Sequence, residues 1–360
     1  MSKIVLANLN NALWRYEKSQ GEWLDHLAEY HNISIEQIDQ FVDTHKQCFK
    51  IAATVSMLFD YSVIDLSKFD LVIVVNQELI REKLPIHLEL LKKQFHNNNI
   101  IVVTSEYLPT CLPDKFVYRY PFFLTETAML NEYQDTFNNN KLKRFDALLG
   151  LNKEHRQFIF NSLSEHGLLD KCYISLISNN QDMQYIYYSP DLQLAETNEA
   201  IEAIDKNNGV FYSYTTTSFQ QYYPISRQIP LGIYKNTWFS IVAESNHDTW
   251  TFISEKTAKP LFAKRLFVMF AAPYHLKRLR EWGFQTFDTI IDESYDLELN
   301  NQLRYKKAFD QVLLLSQADP IAIYEKITPI LEHNHALISN REYFVNPLRD
   351  WLTNHIINPS

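Results

Sequence analysis

The chain reads as an α/β protein built from two Rossmann-like domains that face a central cleft. Three observations predict this. Short apolar, β-branched runs alternate with stretches of helical spacing through most of the 360 residues. That alternation is the pattern of parallel sheets flanked by helices. It occurs as two series, interrupted by a polar stretch at 131–143 that contains Asn138, Asn139 and Asn140. The expected domains are therefore 1–140 and 141–340, with the final helix, 341–360, able to join the first. No internal repeat is found at any fixed period.

In the first series, a short strand over 3–7 leads into a polar turn at 8–11. Stretches 21–31 and 35–45 have helical character, with Ser34 as a cap ahead of Glu36 and Gln37. Runs at 51–56, 71–75, 100–104 and 116–120 read as buried strands. Between them, 78–95 carries Leu84, Leu88, Leu91 and Phe95 at helical spacing, and Pro85 starts or kinks that helix.

The second series opens with a strand over 145–151. A helix over 153–166 follows and is ended by Gly167, and then a strand over 172–177. The polar stretch 179–208 reads as a peripheral insertion, and the tyrosine-rich runs 210–215 and 221–230 suggest no assignment. A strand over 238–243 ends on Glu244. A helix opens at Ser254, Glu255, Lys256 and Thr257, and Pro260 allows its start to lie as late as Thr257. A strand at 266–271, a helix at 274–282 stopped by Gly283, and helices at 299–316, 321–338 and 341–356 complete the chain.

Composition narrows the function. With 46% apolar and 14% aromatic residues the chain has ample material for a core. A formal charge of −9 argues against duplex DNA or an anionic membrane as partner, while leaving a local basic cleft open. Cys48, Cys111 and Cys172 are scattered and odd in number, with no metal or redox spacing, so reduced thiols and a cytoplasmic location are expected. No leader or membrane-spanning run is found. Six glycines form neither a dinucleotide fingerprint nor a Walker loop.

The chemistry is expected at the carboxyl ends of the strands, where doubly wound sheets bind ligands. A helix beginning at Ser254 would present N–H groups and positive potential to a diphosphate, with Lys256 as a mobile cation. The same residues also describe an ordinary cap, Ser254 as N-cap with Glu255 favoured by the helix dipole. Glu244 is either a carboxylate facing a ligand or a solvated strand end. Lys259 is a weaker candidate of the same cluster. Asn152, His155 and Arg156 follow the first strand of the second series, and an arginine there can grip two phosphate oxygens. Asp292, Glu293 and Asp296 invite a metal, but no DxD is present, and they read mainly as a structural turn. His333 and His335 are two apart on a helix and do not share a face. Trp14, Tyr16 and Trp23 could stack on a sugar, but such residues more often belong to a core or to helix packing.

Glu244-Ser245-Asn246 followed by Ser254-Glu255-Lys256 resembles the nucleotide-sugar motif of GT-B glycosyltransferases, in which fucosyltransferases show a similar E-N-S…T-E-K arrangement. The longer run SEKTxKPL…LRxxGFxTFxxxIDESYD is similar to an exostosin-like group. The likeness covers about the last third of the chain. It implies a donor domain at 141–340 and an acceptor-side domain at 1–140. It further implies a UDP- or GDP-sugar donor, an unidentified hydroxyl acceptor, no tightly bound cofactor and no metal. By the same likeness Glu255 accepts hydrogen bonds from the ribose, Lys256 meets donor phosphate or sugar, Glu244 faces donor sugar or ribose, and Arg156 meets phosphate. Asn152, Ser254, Thr257 and Lys259 line the donor. Three alternatives stay open: a protein of this fold that only binds, a phage-type DNA-base glycosyltransferase, which −9 disfavours, and a metal-dependent GT-A enzyme.

Overall fold

The computed structural model describes residues 4–8, 34–37, 49–55, 71–76, 100–104, 117–121, 123–124, 139–177, 185–188, 204–205, 210–212 and 229–357. The chain is α/β and divides into two compact units, Met1–Thr125 with Arg341–Ser360, and Glu126–Asn340.

The first unit is organised by a six-stranded sheet. Its strands are β1 (Ile4–Asn8), β2 (Ser34–Gln37), β3 (Phe49–Val55), β4 (Leu71–Asn76), β5 (Ile100–Thr104) and β6 (Val117–Arg119). They lie in the order β2-β1-β3-β4-β5-β6 and every pairing is parallel. Runs such as LVIVVN and IIVVT have the continuous apolar character of strands covered on both faces. The helix expected over 35–45 is corrected at its start, because Ser34–Gln37 pairs with β1 as a strand. The alternation Ile33-Ser34-Ile35-Glu36 has period two, and that outweighed the cap-like Ser34. The helices expected at 21–31 and 78–95, and the aromatic candidates Trp14, Tyr16 and Trp23, lie outside the described residues. Helix Arg341–Ile357 belongs to this unit. Its Trp351 ring lies 5.2 Å from Tyr118 of β6, and Phe344, Leu348 and Leu352 are buried.

The second unit contains β7 (Lys143–Leu151), α1 (Glu154–Glu165), β8 (Cys172–Ile177), β9 (Tyr185–Tyr188), β10 (Ile204–Asp205), β11 (Val210–Tyr212), α2 (Leu231–Asn236), β12 (Thr237–Ala243), α3 (Glu255–Phe262), β13 (Phe267–Phe270), α4 (His275–Glu281), α5 (Asn301–Gln317) and α6 (Pro320–Ser339). Its sheet order is β10-β11-β9-β8-β7-β12-β13. The four strands β8, β7, β12 and β13 are parallel, and β9, β11 and β10 extend the edge antiparallel. The chain leaves β7 toward β8 and leaves β12 toward β13, in opposite directions along the sheet. The topological switch point therefore lies between the carboxyl ends of β7 and β12.

Every residue of β12 and β13 is buried. Phe239 stacks near Tyr324 of α6, and Phe267 meets Phe287 edge-on at 5.2 Å. Within this apolar layer sits one ion pair. Arg265 is 1% exposed and its Nη2 lies 2.7 Å from Asp146 Oδ1 on β7. Its remaining donors reach Ser240 Oγ, the Tyr234 and Thr237 carbonyls and Thr237 Oγ1, all within 2.9 Å. Thr237 and Ser240 hydroxyls also donate to Asp146 Oδ1. Among the described residues no helix is long and apolar enough to cross a membrane.

Candidate functional site at the sheet switch point

The site grows from the end of β12. Glu244 follows the strand directly, with its N–H on the Phe270 carbonyl of β13, and is 0% exposed. Four donors converge on its carboxylate. Ser254 N–H reaches Oε1 at 3.0 Å, and Ser245 N–H and Ser254 Oγ reach Oε2 at 2.9 and 2.6 Å. Thr257 Oγ1 donates to Oε1 at 2.5 Å. Thr257 has one proton to give and Glu244 takes it. The contact of 3.0 Å between Thr257 Oγ1 and His275 Nε2 therefore requires the histidine to donate. The result is a buried relay, His275 to Thr257 to Glu244. It ties the start of α4 and the first turn of α3 to the end of β12. Burial pushes the His275 imidazole down, against the pull of Glu244 and Asp296.

This geometry gives three of the expected site residues a different role. Glu244, Ser254 and Thr257 bond their polar side-chain atoms to one another. They fasten the loop that follows β12. Around the start of α3, Ser254 N–H is on Glu244, Lys256 N–H on Ser254 Oγ at 3.2 Å, and Thr257 N–H on the Ser254 carbonyl. Helix α3 starts at Glu255, so Pro260 falls in its second turn, where it offers no N–H to the Lys256 carbonyl.

What remains at this edge is a set of cations around one carboxylate. Lys256 Nζ lies 2.5 Å from Glu255 Oε1 and 3.1 Å from Ser245 Oγ. Lys259, one turn after Glu255, lies in the field of both, and burial pushes its ammonium down to about 8. From α1, Lys153 Nζ donates to the Ser245 carbonyl at 2.5 Å. Arg156, 4% exposed, points a guanidinium nitrogen at the Ala243 and Glu244 carbonyls, 3.4 Å from each. Burial lowers it to about 10, with Glu244 and Glu255 opposing. Gly150 precedes this turn with φ +65, and a Cβ there would meet Arg156 Nη1 at 3.4 Å, so glycine serves both the turn and the approach. Helix α1 itself begins without a side-chain cap, Lys153 standing at the N-cap position. Asn152 sits in the same loop, with Nδ2 on Gln157 Oε1 at 3.0 Å. The structure thus gathers Arg156, Glu255, Lys256 and Lys259, and adds Lys153 and Ser245.

The loop after Ser245 is held from behind. Arg304 of α5 donates to the His247, Ala271 and Glu298 carbonyls at 2.5, 2.9 and 2.7 Å. His247 Nδ1 lies 2.6 Å from the Tyr305 hydroxyl, and its ring stacks on His155 at 4.1 Å. His155 Nε2 donates to the Glu244 carbonyl at 2.9 Å. Burial, then the neighbouring His247 and Arg156, drives His155 down to about 2. This carries a stability consequence. Between about pH 2 and the ordinary histidine value of about 6.5, the unfolded chain binds one more proton here than the folded chain. Stability is therefore lost as pH falls below that value, by up to about 1.4 kcal/mol per unit from this residue. His155→Phe keeps a ring on His247 and removes the titration. Urea unfolding from pH 7 to 4 is expected to give the variant a shallower pH slope than the wild type, and parallel slopes would contradict the assignment.

The carboxylates of 292–296 serve as caps. Asp296 accepts from Leu276 and Lys277 N–H at the start of α4, at 2.8 and 3.0 Å. Glu293 accepts from Phe287 N–H, Thr286 Oγ1 and Arg280, and Asp292 caps its own 3-10 turn, Glu293–Leu297. His333 and His335 diverge to the Gly283 and Phe262 carbonyls. Tyr274, with φ 66, turns the chain into α4 so that His275 enters the core.

Searches against protein families and against curated proteins found no match to this chain.

Proposed function

We propose that this chain is a nucleotide-sugar-dependent glycosyltransferase of the two-domain GT-B class, with the donor bound by the second unit and the acceptor side supplied by the first. The observation that carries the reading is that Lys256 pairs with Glu255, Lys259 lies one turn on, and Lys153 and Arg156 bond the carbonyls of Ala243, Glu244 and Ser245, all at the switch point of the second unit's sheet. In a chain of net charge −9, this local excess of cations suits a diphosphate. In the reaction, an acceptor hydroxyl oxygen bonds to the anomeric carbon, the bond from that carbon to the diphosphate oxygen breaks, and the hydroxyl proton is released to solvent. Lys256 and Arg156 stabilise the negative charge that grows on the departing nucleoside diphosphate. Glu255 accepts hydrogen bonds from ribose hydroxyls. With side-chain cations in that role, the reaction is expected to persist in EDTA.

Lys256→Ala tests this. Loss of one charge-assisted contact of about 1.5–3 kcal/mol weakens donor binding roughly ten- to a hundredfold. The melting temperature should stay close to wild type, because Lys256 is part-exposed and its main-chain cap remains. A binding-only protein is the second reading, favoured by one observation: Glu244, the carboxylate expected to face the donor sugar, is enclosed by four donors. Donor hydrolysis and transfer to a mixed acceptor panel separate the two readings.

A further inference from the structure

Lys256 reaches back over the first turn of α3 to the residue before it. Adjacent residues do not share a helix face, so the 2.5 Å contact of Lys256 with Glu255 forms only because both side chains fold toward each other across the helix start. Glu255 and Lys259 are four apart and do share a face. Arg156 of α1 lies in the field of Glu244 first and of Glu255 second. Glu255 is thus the direct counter-ion of Lys256 and shares its helix face with Lys259. Burial alone would raise the Glu255 carboxyl, but Lys256 and Lys259 hold it below the usual carboxylate range. Lys256 thus already holds a counter-ion, and the pair stays reachable, since the Lys256 and Glu255 side chains are 26% and 16% exposed.

We propose that Glu255 is a resident counter-ion, which the phosphate of an incoming ligand displaces from Lys256, so that the carboxylate is released to hydroxyl groups of the ligand only once the anion is seated. This rests on the donor-site reading above. The exchange makes the site selective. A bare anion takes Lys256 and costs Glu255 its direct partner, whereas a ligand carrying phosphate and vicinal hydroxyls satisfies both groups.

Inorganic pyrophosphate is the probe, titrated calorimetrically into the full chain. Glu255→Gln removes the competing charge and is expected to bind pyrophosphate about tenfold more tightly than wild type. Glu154→Gln controls for the general field. This carboxylate lies in the exposed first turn of α1, bonded to Gln302. Its loss should change pyrophosphate affinity by no more than about twofold, since exposed charges are screened. Adding Lys256→Ala to Glu255→Gln should abolish the gain. UDP-glucose and GDP-mannose, titrated into the same proteins, read the donor site separately, and Glu255→Gln should weaken whichever of them binds. Pyrophosphate affinity in Glu255→Gln that equals or falls below wild type overturns the counter-ion role, as does failure of both proteins to bind pyrophosphate. Tighter pyrophosphate binding with no nucleotide-sugar binding by any form leaves the counter-ion role standing and removes the donor reading.

Discussion

Arg265→Met lowers the unfolding free energy of the second unit by about 3–5 kcal/mol, the cost of leaving a buried charge without its partner. In the folded protein Arg265 satisfies Asp146, Ser240, Thr237 and Tyr234 together. Methionine fills much of the volume but leaves the Asp146 carboxylate facing two hydroxyls inside the apolar layer between β7 and β12. Asp146→Leu leaves the guanidinium stranded in the same way. The double variant removes both charges, so its cost should fall short of the sum of the singles by about 2 kcal/mol or more. Urea unfolding at constant pH measures this through the midpoint at unchanged slope. Additive losses would show that the pair is not coupled.

Glu244→Gln is the second large effect, about 2–4 kcal/mol of stability. Glutamine keeps the size but offers one acceptor oxygen where the carboxylate offers two. Its amide NH2 would then face N–H or O–H donors of Ser245, Ser254 or Thr257. Thr257→Val removes a single donor and uncouples His275, so it should cost less, about 1–2 kcal/mol. Because Glu244 holds both Ser245 and the first turn of α3, its replacement should also weaken ligand binding at Lys256. A Glu244→Gln protein with wild-type stability would mean that the four-donor arrangement contributes nothing.

These two networks mark where sequence reading reaches its limit. Strands such as 71–75, 100–104 and 238–243 were legible because apolar runs bounded by polar turns have few other uses. The long helices near the C-terminus were legible as long runs with polar faces, and the structure adds the caps Asn300 and Asp319, whose side chains accept N–H bonds at the helix starts. The helix starts that carry Arg156 and Glu255 were legible, because a polar turn after an apolar strand marks them. The role of Glu244 was not. Whether a carboxylate faces solvent or four donors depends on how a loop returns, and the return of Ser254 and Thr257 is a tertiary event. His275 and Lys153 carried no local signal. Asp146 did carry one, as a lone charge inside the run FDALL, but its partner is 119 residues away. The cap-like Ser34 shows the reverse case, a local signal overridden by sheet pairing.

The most direct measurement is a thermal-shift titration of the wild-type protein with UDP, GDP, CMP and their sugars in EDTA, repeated on Lys256→Ala. A ligand that binds only the folded state raises stability by about 2.7 kcal/mol at a hundred times its Kd. The account predicts that one nucleotide family raises the wild-type melting temperature in a concentration-dependent way, that its sugar conjugate raises it further, and that Lys256→Ala loses most of the shift while melting unliganded at the wild-type temperature. No shift from any of these ligands, or an equal shift in both proteins, would contradict the placement of a nucleotide-sugar site at the switch point.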